Sequence, residues 1–164
     1  MVVINGYTIK PFANLAEANL DGANLERVDL TGVDLTGASL AGAELAGAKL
    51  AGADLTGANL SHANLIGADF TDANLVGVNA NNANYTKAIF TRANLTDANF
   101  ILTSVVFVNL TGANMTNVKT TKNALNGNIY DTSIAVSTAV FDDTINTIPT
   151  PSAIQRFVNI FSFL

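Results

Sequence analysis

Few residues of this chain could carry covalent chemistry. His62 is the only histidine. No second metal-ligand type lies near it, and no Ser–His–Asp constellation can be assembled around it, so it reads as a solvated side chain. Asp142-Asp143 are adjacent carboxylates. Neighbours on an extended segment face opposite ways, whereas a general acid/base pair needs convergent geometry; they read as surface charge. The absence of cysteine excludes disulfides, thiolate metal sites and Cys nucleophiles. Asn94-Leu95-Thr96, Asn109-Leu110-Thr111 and Asn114-Met115-Thr116 match the glycosylation sequon but are by-products of a repeat. The sequence therefore offers no catalytic residue, no metal site and no cofactor site.

The repeat must position everything else. Leucine occupies every fifth position from Leu15 to Leu65, and the register continues through Phe70, Leu75, Ala80, Tyr85, Phe90, Leu95, Phe100, Val105, Leu110 and Met115. Two residues before each large side chain stands Ala or Val, with Thr103 the one exception between Ala13 and Val118. The residue between is nearly always polar, and glycine follows two residues after the large one at ten of its 12 occurrences in the chain. A period of five fits neither a helix at ~3.6 nor a plain strand at ~2. Locally, Ala-Asn-Leu alternates inward, outward, inward as a three-residue strand. Thr-Gly then turns a corner, glycine supplying the positive φ of a type II turn.

This A-(D/N)-L-x-x pattern resembles the pentapeptide repeat family over residues 13–118. The resemblance implies an all-β fold, a right-handed quadrilateral β-helix (a solenoid) of about 5–6 coils, with four repeats per coil and residues 20 apart stacked. At a ladder spacing of ~4.8 Å the rod would be roughly 26 Å long. Leu20, Leu40, Leu60, Ala80 and Phe100 then form one column, in which Tyr85, Phe90 and Phe100 fill the volume Ala80 omits. Leu30, Leu50, Phe70, Phe90 and Leu110 form another, with two rings placed to stack. Corner glycine is replaced at Asp72, Asn82, Lys87, Arg92, Asp97, Leu102 and Phe107. Leu, Phe, Lys and Arg tolerate positive φ poorly, which predicts a turn class without positive φ in the later half.

Four segments are expected. Residues 1–12 form an N-terminal cap, a short hairpin about Asn5-Gly6 or a strand plug, and 13–118 the regular repeats. Residues 119–148 form a degenerate last coil, with Ile134/Val136 and Ala139/Phe141 one step out of register. Residues 149–164 form a C-terminal helix, entered at Pro149-Thr150-Pro151. Its stripe of Ala153, Ile154, Phe157, Val158, Phe161 and Leu164 is apolar at helical spacing. Phe157, Val158, Phe161 and Leu164 would close their own rod or make a homodimer contact, as some family members do.

Recognition is the function left. Net charge is −5, against direct nucleic-acid binding. No apolar run reaches the ~18 residues of a membrane span, and no signal peptide is visible, so a cytoplasmic location is expected. One face would carry Glu17, Asp34, Asp54 and Asp97 with no Lys or Arg. Ile101, Leu102, Val106 and Phe107 point outward where neighbouring coils have Thr and Gly, and contiguous exposed apolar surface marks contact, either with the C-terminal segment or with a partner. The resulting expectation is a non-enzymatic scaffold for an unidentified protein partner. Alternatives are a DNA-mimicking binder of a topoisomerase (gyrase), implied by some family members, and more remotely an ice-binding array on Thr36, Thr56, Thr96 and Thr116. Family members concentrate in bacteria, cyanobacteria especially.

Overall fold

The computed structural model describes residues 2–120 and the pair Val140–Phe141. The chain opens on an antiparallel hairpin of β1 (Val2–Ile4) and β2 (Tyr7–Ile9), with Val2 opposite Ile9. Asn5 and Gly6 both have positive φ, 49° and 83°, as a two-residue type I′ turn requires. Ile9 is buried, and the cap is tied to the first coil at Asn19, whose N–H donates to the Tyr7 hydroxyl while its carbonyl accepts from Asn5 Nδ2.

Beyond the hairpin the chain coils. Parallel bridges join residues 20 apart without a slip, from Asn14 to Asp34 through to Asn94 to Asn114. Each coil thus holds four repeats and has four sides, which makes the described rod a β-helix solenoid. Two bridged pairs lengthen into strands: β3 (Asn99–Phe100) lies beside β4 (Lys119–Thr120), and β4 beside β5 (Val140–Phe141), all parallel. The offset is 20 between β3 and β4 and 21 between β4 and β5. The 149–164 segment lies outside the described residues.

The inward columns are the core. Every large position from Leu15 to Met115 is buried. Phe70 and Phe90, one coil apart, stack with centroids 5.0 Å apart and planes 7° from parallel. Around the small Ala80, Tyr85 meets Phe100 at 5.2 Å and Phe90 at 5.4 Å, so rings fill the missing leucine volume. Thr103, the misfit of the small columns, is buried and donates its hydroxyl to the Ala80 carbonyl at 2.8 Å. A cavity of only about 20 Å³ interrupts the packing, between Phe90, Phe100 and Thr120 at the C-terminal end of the described core.

The buried Tyr85 hydroxyl has no hydrogen-bond partner, and burial pushes its pKa up. An unsatisfied buried donor costs about 1–3 kcal/mol. Tyr85→Phe, which keeps the ring contacts, is therefore expected to raise unfolding free energy by about 1 kcal/mol, measured by urea denaturation.

At the corners the structure overturns one expectation. Asp72, Asn82, Lys87, Arg92, Asp97, Leu102 and Phe107 all have φ between 56° and 63°, close to the 63–70° of the corner glycines from Gly22 to Gly112. One turn type serves the whole rod: only the second corner residue has positive φ, and the N–H after it closes onto the preceding large residue, as Ala73 N does onto Phe70 O at 3.0 Å. This is a type II turn. The corner N–H also bonds the next coil, Asp72 to Thr91 O at 2.9 Å and Lys87 to Val106 O at 2.8 Å. Two hydrogen bonds and the closure of the coil thus fix each corner from Phe12 to Asp97, outweighing a left-handed penalty of roughly 1–2 kcal/mol per residue.

The outward polar residue has a structural task. In 15 repeats the side-chain oxygen of Asn or Asp accepts the backbone N–H two residues on. This is an Asx-turn that pins the start of the corner. Where the residue is Asp, ionisation strengthens the bond. The Thr31 hydroxyl and N–H hold the Asp29 carboxyl below the usual carboxylate range, and the Thr36 N–H and hydroxyl do the same for Asp34. A depressed folded pKa gives stability that is present above the unfolded value of ~3.9 and lost as pH falls through the folded value. Thermal melting between pH 7 and pH 2 is expected to show a Tm that is level down to about pH 4 and falls below it.

Candidate functional site

The rod has four faces, named here by their first outward residues: the Asn14, Asn19, Asn24 and Asp29 faces. The corners lie between them. With the interior filled, chemistry is confined to this outer surface, and among the described residues no cluster of His, Cys, Asp and Glu could hold a metal. His62 sits exposed on a corner at φ 60°.

The acidic residues read from sequence share the Asn14 face and the corner that follows it, but the structure divides them. Asp34 and Asp54 are direct ladder neighbours and half-buried. Asp34 Oδ1 accepts from Thr36 N at 3.0 Å. Asp54 Oδ1 accepts from Thr56 N at 2.9 Å and from the Thr56 hydroxyl at 2.6 Å, while Asn74 Nδ2 approaches it at 3.3 Å. These carboxylates brace the backbone. Glu17 and Asp97 lie on the corner column. The Glu17 carboxylate covers Gly37, where an added Cβ would lie 2.5 Å from Oε1, and Asp97 accepts from Asn117 Nδ2 at 3.1 Å. The hydroxyls of Thr56, Thr96 and Thr116 are likewise spent on Asp54, Asn94 and Asn114, at 2.6–2.7 Å. They are not a free array facing solvent.

Ion pairs lie elsewhere. Arg92 and Asp72, one coil apart on the corner before the Asn14 face, form a two-pronged bond of 2.7 and 2.6 Å. It lowers the Asp72 pKa and raises that of Arg92. Both are largely exposed, so the pair adds little stability.

The apolar residues behave differently. Leu102 and Phe107 stand on consecutive corners of one coil, 56% and 63% exposed, each at φ 56°. Val106 beside Phe107 is 39% exposed, whereas Ile101 is half-buried. Sequence reasoning missed two neighbours, Ile66 and Ile89, and the N-terminal Phe12, 76% exposed. Ile66 lies in the same corner column as Val106, two coils back. Ile89 is on the adjoining face and is the only apolar residue in the Asx slot from Asn14 to Asn114, a departure that could have flagged it. Bulky L-residues at positive φ are rare outside special sites. Here they coincide with exposed apolar surface at the late coils.

Comparison with known proteins agrees with this architecture. The profile of pentapeptide repeats matches in eight copies, over residues 12–47, 38–75 and 73–117. The crystal structure of HetL, a pentapeptide repeat protein of the cyanobacterium Nostoc involved in regulating heterocyst differentiation, is similar at 25% identity and TM-score 0.60. The match covers 84% of this chain and 75% of HetL. A pentapeptide repeat protein of the cyanobacterium Cyanothece is 33% identical over 63% of this chain and 65% of its own, TM-score 0.46. One from the Arabidopsis thaliana thylakoid lumen is 39% identical over 65% and 67%, TM-score 0.42. No curated protein matches the chain. Matched from residue 12 to residue 117, this chain belongs to the pentapeptide repeat family.

Proposed function

We propose that the chain is a non-enzymatic scaffold, a right-handed rigid rod that binds a protein partner through the corners of its late coils. The observation that carries this reading is the pair Leu102 and Phe107, exposed apolar side chains at left-handed corners where glycine would cost less. Large apolar side chains exposed on consecutive corners are what a contact surface presents, and sites of such strain cluster where proteins bind. A filled solenoid offers no cleft in which a substrate could be shielded from water, which supports the non-enzymatic half of the proposal. HetL, a pentapeptide repeat protein involved in heterocyst differentiation regulation, shares this fold. Affinity capture from native extract with mass spectrometry tests the scaffold. A partner retained by the natural chain is expected to be lost with Leu102→Asp/Phe107→Asp, and capture that is indifferent to the substitution removes the reading.

Mimicry of duplex DNA toward gyrase is the second reading, favoured by Asp34 and Asp54 standing in register on a face without Lys or Arg. Four carboxylates over roughly 26 Å fall far below duplex density, about two charges per 3.4 Å. Two of the four are also engaged as turn braces. The scaffold is therefore the better account, and a gyrase supercoiling assay unaffected by the protein would dispose of the mimic.

A further inference from the structure

We propose that Asn5-Gly6 is a self-modifying site, where deamidation unlatches the N-terminal hairpin and bares the strand edge of the first coil. The inference goes beyond the scaffold reading and does not rest on it. The chain holds 21 asparagines, and the fold shields those of the repeats from this reaction. Ring closure needs the backbone nitrogen of the following residue to reach the side-chain carbon. After Asn14, Asn24 and Asn64 that nitrogen belongs to Leu15, Leu25 and Leu65, and it donates to the next coil at 2.7–2.8 Å. The same bond holds Leu75, Tyr85 and Leu95 after Asn74, Asn84 and Asn94.

Asn5 lacks this shield. It is exposed, glycine follows it, and among the described residues nothing accepts from the Gly6 N–H. A Cβ built on Gly6 would meet nothing within 4 Å, so the space around its nitrogen is open, and glycine is free to reorient. Only the hairpin restrains the site: Asn5 Nδ2 donates to the Asn19 carbonyl at 3.2 Å, and Ile4 faces Tyr7 across the turn. A two-stranded ribbon with three residues a side is marginal by itself, so it opens locally more readily than the coils.

In the opened turn the Gly6 nitrogen attacks Asn5 Cγ. The new N–Cγ bond forms as Cγ–Nδ2 breaks, and Nδ2 leaves as ammonia with the proton from Gly6. Water then opens the succinimide and returns a proton to the nitrogen, with no oxidant or reductant involved. Addition at Cγ gives aspartate at position 5; addition at the main-chain carbonyl gives isoaspartate, with Gly6 linked through Cγ. Aspartate sets a carboxylate against the Asn19 carbonyl, acceptor facing acceptor. Isoaspartate lengthens a turn whose register depends on two residues. Each removes the tie to Asn19, whose backbone then presents an unpaired edge.

Incubation of the full chain in mildly alkaline buffer, followed by tryptic mapping, tests the proposal. Cleavage after Lys10, Lys49, Lys87 and Lys122 puts Asn5, the asparagines from Asn59 to Asn84, and Asn126 on separate peptides. The Asn5 peptide is expected to convert to aspartate and isoaspartate while the peptide with Asn59 to Asn84 stays amidated. Converted protein should lose hydrogen-exchange protection from Tyr7 to Ile9 and at Asn19, with the coils around Leu40 unchanged. Asn5→Asp should show that loss without incubation, and Asn5→Gly, which permits the turn but has no amide, should not change on incubation. An Asn5 that outlasts the asparagines from Asn59 to Asn84 overturns the proposal. So does converted protein, or Asn5→Asp, whose hairpin keeps full protection. None of these readouts involves a partner, so failure of the scaffold reading shows separately, in the capture experiment.

Discussion

Phe90→Ala is expected to lower the unfolding free energy by about 3–5 kcal/mol, the range for large aromatic truncations in a close-packed core. Phe90 is 1% exposed and central to the ring cluster: it stacks on Phe70 at 5.0 Å, tilts against Tyr85 at 5.4 Å and meets Phe100 edge-on at 6.1 Å. The columns above and below are held in ladder register, so collapse into the vacated volume is limited. Each coil touches mainly its neighbours, and stability in such folds is nearest-neighbour in character. Coils on the C-terminal side of the substitution should consequently lose protection in hydrogen exchange before those around Leu35 and Leu40. A urea midpoint that moves by less than the equivalent of about 1 kcal/mol, or uniform loss of protection along the rod, would contradict this description of the core.

The corners support a second, opposed pair of substitutions. Gly52 has φ 65°, and a Cβ built there meets nothing within 4 Å. Valine at that site therefore reports the backbone penalty with no clash, and Gly52→Val is expected to cost about 1–2 kcal/mol. Lys87 is the converse, an exposed long side chain at φ 63°. Lys87→Gly should recover part of that penalty, on the order of 0.5 kcal/mol, because glycine also loses more freedom on folding. Denaturation of both variants beside the natural chain is decisive: stabilisation by Gly52→Val would mean that the left-handed corner does not exist.

The coil itself could be read from the residues. Side chains 20 apart, such as Leu50 and Phe70, are joined by a ladder the structure shows without interruption, and the stacked rings follow from that spacing alone. For the N-terminal cap the residues left a hairpin or a strand plug open, and the positive φ of Asn5 and Gly6 resolves it as a hairpin. Corner conformation was not legible at Leu102 or Lys87, because residue preference is a local effect of a kcal/mol or so and coil closure is a collective constraint. Nor was the work of Asp34 and Asp54: composition shows a carboxylate, and only geometry shows that Thr36 and Thr56 occupy it. Ile66 escaped notice because its slot also holds Ala, Thr and Glu, so that no departure stands out there. The apolar corners at Leu102 and Phe107 were visible in sequence; the strain that distinguishes them was not. The C-terminal helix and its residues Phe157, Val158, Phe161 and Leu164 lie outside the described residues.

The unbroken offset of 20 limits how such a molecule can change length in evolution. Duplicating one repeat in the gene would keep every lining slot apolar, but it would swing everything downstream by a quarter turn. Leu102 would leave its azimuth for the one Phe107 now holds. Only the gain or loss of an entire circuit preserves what each side displays, so a lineage can lengthen its rod freely only by whole circuits, and smaller steps reassign the pattern on every face at a single stroke.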